Sequence, residues 1–534
     1  MVAPDNRSWA RDAVIYEVYV RSFADADGDG VGDLAGVTSR LDYLADLGVD
    51  ALWLTPFYRS PMADGGYDVA DPREVDPSVG TLEDFDKLMV EAHARGLRVI
   101  IDIVPNHTSV EHPWFQAALR AGPGSPERAR YHFRAADAPP NNWQSIFTGP
   151  AWTRVSDGEW YLHMFAPEQP DLNWDNPEVR AEYESVLRFW LDRGVDGVRI
   201  DVAHGLVKAP GLPDIGSVSA GLLEGAHTPF WDQDGVHEIY RSWRSILDSY
   251  TPERIAVGEA WLPDAQRTAN YVRPDELHQA FNFEFLGTPW SGPAYRRSID
   301  DSLSTMEAVG ATTTWVLSNH DVLRHASRLA TGVGGTAGGV SGADIPRLDT
   351  ELGLRRARAA ILLLLGLPGS VYLYQGEELG LPEVFDLPAA ARQDPIFQRT
   401  NGGVLGRDGC RVPLPWSGTT PPYGFSKATA WLPQPAQWAE LSVAAQRDDP
   451  DSTLNLYRAA LRLRRTRPGL HTGQLVWRSG PEDDLLVLER PGLLCAINLG
   501  SASVSVGAVQ PLIASGRLDG DRLPPDTAAW FPLD

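Results

Sequence analysis

Residues 34–54 read LAGVTSRLDYLADLGVDALWL, and this stretch decides the fold. Apolar residues recur at helical spacing from Leu34 to Leu47, and Gly48 stands where a helix ends in a C-cap. Ala51-Leu52-Trp53-Leu54 then reads as a strand. Upstream, Val14-Ile15-Tyr16-Glu17-Val18-Tyr19 reads as the strand before it. Downstream, a helix over about Thr81 to Arg95, stopped by Gly96, leads to the strand Val99-Ile100-Ile101-Asp102-Ile103. Strand, helix, glycine, strand implies a parallel sheet with crossover helices.

Further out, the rhythm breaks. Residues 105–175 are rich in Pro, Asn, Trp and Gly and show no helical period. A stretch that long is a small excursion domain rather than a loop. Alternation resumes with a helix over Pro177 to Arg193. Strands follow at Gly197 to Asp201, Ile255 to Glu259, Ala280 to Phe283, Thr313 to Leu317 and Ser370 to Tyr374. Eight strands with intervening helices predict an α/β fold, a closed (β/α)8 TIM barrel. Loops rich in Pro and Gly are expected over about 205–237 and 376–440, with a glycine-rich loop over Thr331 to Ser341. From about residue 470, short strands such as Leu485 to Leu488, Leu493 to Ile497 and Val504 to Val506 predict a C-terminal antiparallel β-domain. The expected organisation is barrel over 1–104, excursion domain over 105–175, barrel again over 176–468, and β-domain over 469–534.

Bulk composition narrows the partners. A chain of 534 residues, 43% apolar, is globular and suits a large barrel with additions. A net charge of -24 argues against nucleic acid and anionic membranes and leaves neutral or cationic ligands. The only cysteines, Cys410 and Cys495, fit two free thiols in a reducing compartment, although one bridge is open to them. Met1 to Trp9 carries no apolar signal core, and the greasiest run, Ile361 to Leu365, suits a buried helix end rather than a membrane span. A soluble, cytoplasmic protein is expected. The eighteen tryptophans are expected mainly in the core, with sugar stacking the minor use.

Functional side chains of such barrels lie at the C-terminal strand ends. Here those ends read Asp102-Ile-Val-Pro-Asn106-His107, Gly197-Val-Arg199-Ile-Asp201, Gly258-Glu259-Ala-Trp261 and Ser318-Asn319-His320-Asp321. Carboxylates, histidines and an arginine thus converge on one rim, which is costly unless the charges pair. Two close carboxylates suit glycoside cleavage with retention, at about 5 Å separation. Arg199 and Asp201 are two residues apart, so a strand points both to one face. The arginine is expected to hold Asp201 ionised, and anionic Asp201 to raise the proton affinity of Glu259.

These four segments resemble the signature regions of the α-amylase family, glycoside hydrolase family thirteen. Gln169-Pro170-Asp171-Leu172-Asn173 resembles its fifth region, in the form of oligo-1,6-glucosidases and α-glucosidases. The resemblance implies Asp201 as nucleophile, Glu259 as acid and then base, and Asp321 as the residue that binds hydroxyls and distorts the ring. It implies that His107, Arg199 and His320 line the same subsite, with Asp102 structural. Asp64 and Tyr67, in Asp64-Gly-Gly-Tyr67-Asp68, match a pair that grips the terminal glucose. Arg407 matches an arginine closing the pocket behind that glucose, and Phe147 and Phe165 match aromatic walls.

Asp25-Ala-Asp27-Gly-Asp29-Gly-Val31-Gly-Asp33 offers oxygen ligands at alternate positions, as a hard cation requires. Gly36 stands where an EF-hand needs its bidentate glutamate, so that motif is rejected. The family's oligo-1,6-glucosidase-like members carry a similar calcium loop. By resemblance, Asp25, Asp27, Asp29, Asp33 and the Val31 carbonyl hold a structural Ca2+, with Mg2+ the alternative. A glycine pattern at Gly332 to Ala337 grazes a dinucleotide fingerprint but follows no compact crossover unit, so it is set aside.

The resemblance implies an exo-acting, retaining α-glucosidase that frees glucose from the non-reducing end of short, neutral α-glucosides. The loop after Asp201 and Gly406 to Trp416 look like maltose-cleaving enzymes, which favours α-1,4 links with other α-links tolerated. Val202 resembles α-1,6-preferring members, so an oligo-1,6-glucosidase is the alternative, as is a glucosyl-transferring or isomerising enzyme. A non-catalytic transporter subunit is remote, since Asp201, Glu259 and Asp321 are all present.

Overall fold

In the stretch that opens the crossover rhythm, Asp33 accepts a hydrogen bond from the Gly36 N–H and starts a helix at Leu34. The helical run expected through Leu47 is two helices, Leu34–Ser39 and Leu41–Leu47, stepped at Arg40. Gly48 ends the second at φ 98°, a conformation that suits glycine because it has no Cβ. The next crossover helix, Leu82–Ala94, begins with a reciprocal capping box between Thr81 and Asp84. These observations come from a computed structural model, which describes residues 8–216, 228–331, 340–341, 347–480, 482–507 and 510–533. Residues 332–339, most of the expected glycine-rich loop, lie outside the described residues.

The eight barrel strands are β1 (Val14–Val18), β2 (Ala51–Leu54), β3 (Arg98–Ile103), β4 (Gly197–Ile200), β5 (Ile255–Gly258), β6 (Gln279–Ala280), β7 (Thr314–Val316) and β8 (Ser370–Tyr374). They form one parallel sheet in the order β6-β5-β4-β3-β2-β1-β8-β7. Among the described residues no ladder joins β6 to β7. The reason is local. Strand β6 ends at Ala280, not Phe283, because Asn282 caps a short helix, Phe283–Gly287, by accepting from the Phe285 N–H.

Between β3 and β4 lie a three-stranded antiparallel sheet (Phe133–Ala135, Trp152–Arg154, Glu159–Leu162) and a helix, Pro113–Ala121. The sequence showed no helical period here. The helix is short, starts at Pro113 under a His112 cap, and buries only Phe115 and Ala118. Toward the C-terminus a five-stranded antiparallel sheet packs on the helix Thr350–Gly366. Trp530 Nε1 donates to the Leu362 carbonyl at 3.0 Å, and Arg490 to that of Gly366 at 2.6 Å. The run Ile361 to Leu365 is buried inside this joint, as its apolarity predicts. Both cysteines are free and buried. No helix among the described residues is long and apolar enough to cross a membrane.

Candidate active site

Strand order places Asp102, Arg199, Asp201 and Glu259 side by side, because β3, β4 and β5 are neighbours. Arg199 lies in β4 at 1% side-chain exposure and is shared by three carboxylates. Its Nη1 donates to Asp102 Oδ1 at 2.6 Å and to Asp201 Oδ1 at 2.7 Å. Its Nη2 lies 2.7 Å from Glu259 Oε2. Asp102 has no exposure and also accepts from Trp53 Nε1 and the Tyr67 hydroxyl. It braces Arg199 and stays off the pocket wall, as a structural residue does. Glu259 accepts from the Val202 N–H at 3.0 Å and from Trp261 Nε1 at 3.0 Å. Val202 donates from φ 46°, a strained conformation for a β-branched residue.

The charge balance at Asp201 follows from this geometry. Burial pushes the Asp201 carboxyl well above the usual carboxylate range. Arg199 opposes that rise, while the Glu259, Asp102 and Asp321 charges add to it. A guanidinium divided among three carboxylates offsets only part of the rise that burial and like-charge repulsion cause.

The other end of the site is held by a second arginine. Arg407 donates through Nη2 to Asp64 at 2.6 Å, through Nη1 to Asp321 at 3.0 Å, and through Nε to Asp394 at 2.6 Å. Arg411 adds a 2.8 Å bond to Asp321. Burial raises the Asp321 pKa, but His320, Arg407 and Arg411 outweigh it and hold this carboxyl well below the usual range. Gln169 ties Asp64 to His107, donating at 3.1 Å to the first and lying 3.0 Å from the ring of the second. His107 is buried, and burial lowers its pKa.

His320 sits between two acids. Its Nδ1 hydrogen-bonds Glu17 of β1, and its Nε2 lies 3.1 Å from Asp321 and 2.8 Å from the Tyr67 hydroxyl. Burial lowers its pKa, but Asp321 and Glu17 prevail and raise it to about 9 from 6.5. A raised histidine stabilises the fold fully below the unfolded value and loses that contribution as pH rises through the folded one. Thermal stability is therefore expected to decline between pH 6.5 and about 9. A His320→Gln variant should lose this slope in melting curves recorded across that window, and an unchanged slope would refute the assignment.

The pocket bounded by these groups encloses about 660 Å³, its open mouth included. All three expected catalytic residues line it, with Asp64, Tyr67, His107, Phe147, Phe165 and Arg407. Arg199 and His320 lie just behind the wall. Arg407 also stacks over Phe147, 5.0 Å from the ring centroid. Four contributors escaped the sequence reading. Glu17 was visible as a lone acid inside an apolar strand. Trp261 stands two residues past Glu259 and stacks on Phe283 at 3.6 Å. Asp394 and Arg411 come from the long loop after β8 and carry no local signal.

The acidic loop after β1 is brought together in part. Carboxylate oxygens of Asp25, Asp27 and Asp29 lie within 4.8 Å of one another. Asp33 stands apart from that group. Its carboxylate accepts from the Ala26, Asp27 and Gly36 N–H groups, as the cap of the helix that follows. Three like charges held this close suit a hard divalent cation.

Eight parallel strands around paired carboxylates, with one end of the pocket closed, define a glycoside hydrolase. The family model for the alpha amylase catalytic domain matches residues 17–473, and the chain belongs to that family. A probable alpha-glucosidase of Rhizobium meliloti (strain 1021) is 40% identical, over 89% of this chain and 86% of that one. An oligo-1,6-glucosidase of Heyndrickxia coagulans is 35% identical, over 93% of each. The crystal structure of the alpha-glucosyl transfer enzyme XgtA superposes with a TM-score of 0.85 at 36% identity, covering 98% of this chain and 99% of that one.

Proposed function

We propose that the chain is an exo-acting, retaining α-glucosidase that releases glucose from the non-reducing end of short α-glucosides. Maltose-type α-1,4 links are favoured and other α-links tolerated. The observation that carries this reading is the Arg407 bridge between Asp64 and Asp321, which closes the pocket behind a single sugar. A polysaccharide chain needs a cleft open at both ends, and this end is not.

In the proposed reaction Asp201, as the carboxylate, attacks the anomeric carbon and forms a glycosyl ester, while Glu259 gives its proton to the leaving oxygen as that bond breaks. Glu259 then takes a proton from the water that releases glucose. One guanidinium holding both carboxylates supports the short separation that direct attack requires. Asp321, with its proton held off by His320, Arg407 and Arg411, is an acceptor for sugar hydroxyls. The two buried free cysteines support a reducing, cytoplasmic setting.

Glucose release from maltose, isomaltose, nigerose, kojibiose, sucrose, trehalose and soluble starch tests the reading. Release from disaccharides but not starch is expected, with maltose ahead of isomaltose. Internal cleavage of starch would overturn the exo assignment. Val202 on the pocket wall favours a second reading, α-1,6 preference, which a strong isomaltose lead would establish. Likeness to the alpha-glucosyl transfer enzyme favours a third, transfer to sugars, read as longer products at high sugar concentration.

The acidic loop supports a structural Ca2+, or Mg2+, held by Asp25, Asp27, Asp29, Asp33 and the Val31 carbonyl. Such an ion binds only the folded state, so about a hundredfold excess over Kd adds about 2.7 kcal/mol of stability. Chelator is expected to lower Tm and added Ca2+ to restore it, with Mg2+ compared alongside. Identical melting with chelator and with either ion would remove the proposal.

A further inference from the structure

The turn after β4 carries a histidine that the proposed reaction leaves unused. His204 is 1% exposed, yet it lines the pocket beside Val202 and Glu259. Neither of its ring nitrogens meets a hydrogen-bond partner at full bonding geometry, although the Glu259 carbonyl is near enough to act on the ring. Buried polar atoms are normally paired, so an unpaired imidazole at a ligand pocket points to a ligand.

The ring is held in place rather than loose. The Asp232 N–H donates to the His204 carbonyl, and the Ala203 N–H to that of Glu259, both at 2.7 Å. The imidazole packs on Trp231, ring centroids 4.8 Å apart. Gly205 packs closely against Trp231. A Cβ on Gly205 would lie 2.5 Å from its ring, 2.7 Å from Val202 and 2.9 Å from Asn106, so only glycine lets this turn close.

Location decides which part of a substrate the ring meets. The far end of the pocket is closed by Asp64, Asp321 and Arg407. The charges acting on His204 are instead Glu259, Asp232 and Lys208. Glu259 is the proposed acid for the leaving oxygen, so a group beside it and away from the closed end faces the leaving sugar. We propose that His204 hydrogen-bonds a hydroxyl of the leaving sugar and thereby sets which α-linked partner the enzyme accepts. This role rests on the α-glucosidase reading above. Burial lowers the ring's pKa to about 4, so the imidazole is neutral and offers one donor and one acceptor. A sugar hydroxyl matches both. A site built to bond a hydroxyl discriminates against partners that lack it.

The test compares two substrates in wild type, His204→Leu and His204→Gln. One is the disaccharide that wild type hydrolyses best. The other is p-nitrophenyl α-glucoside, whose leaving group carries no sugar hydroxyl. The ratio of kcat/KM on disaccharide to that on aryl glucoside is expected to fall about 10- to 100-fold in His204→Leu. His204→Gln, which keeps a donor and an acceptor, should recover part of that ratio. Melting temperature is read alongside, so that a loss of fold, which lowers both substrates equally, is told apart from a change in the ratio. An unchanged ratio, whether both substrates lose equally or neither does, would overturn the specificity role. A wild type that cleaves neither substrate would overturn the α-glucosidase reading itself.

Discussion

Asp201→Asn is expected to abolish glucose release, by about 10⁴-fold or more in kcat/KM, without lowering the melting temperature. The activity loss follows from the proposed covalent step, since an amide is not a nucleophile for the anomeric carbon. The retained stability follows from the site's electrostatics. Asp201 is buried among the charges of Glu259, Asp102 and Asp321, and burial with their repulsion drives its pKa up. Removing its charge relieves that repulsion and leaves Arg199 with Asp102 and Glu259. Glu259→Gln should cost about 10²- to 10⁴-fold on poor leaving groups and less on activated aryl glucosides, which need little protonation. The wild-type acid limb of kcat/KM should lie above the usual aspartate range, because attack requires loss of the proton that burial favours on Asp201. Full activity in Asp201→Asn would end the nucleophile assignment. A limb in the ordinary range would mean that Arg199 outweighs burial after all.

Arg199→Leu carries the largest expected loss of stability. Three buried carboxylates depend on this one side chain, and removing one partner of a buried ion pair costs about 3–5 kcal/mol. The penalty should depend on pH with a definite sign. Burial already raises the Asp102 and Asp201 pKa values, and loss of Arg199 removes a charge that lowers both. Acid protonates these groups and removes the repulsion, so variant and wild type should converge as pH falls. Urea midpoints at pH 5 and 7.5 would read this, and an equal deficit at both would refute it. Arg199→Lys is expected to recover little, because a point charge cannot reach three carboxylates as a planar fork does.

The eight-fold alternation of strand and helix was legible from residue 14 onward, because apolar period and glycine stops are local properties. The motifs at the strand ends were legible for the same reason, and so was the buried run Ile361 to Leu365. Misreadings fell where a single polar side chain redirects the backbone. Asn282 caps the helix that cuts β6 to two residues, and His112 with Pro113 starts a helix too short to show a period. Asp33 belongs to a run of alternating acids, and nothing in that run says that it also caps a helix.

Residue type and local order therefore determined which side chains reach the barrel mouth. Only the tertiary structure decided how their charges are shared. Arg407 meets Asp64 across 343 residues, and Glu17 meets His320 across 303. Arg199 and Asp201 point to one face by strand geometry, but Glu259 and Asp102 join them only because β3, β4 and β5 are adjacent. That adjacency turned an expected ion pair into one arginine shared among three acids, and so raised the proton affinity of Asp201. Side-chain direction is a local matter of backbone geometry, whereas a buried charge's state depends on every neighbour the fold brings within a few ångströms.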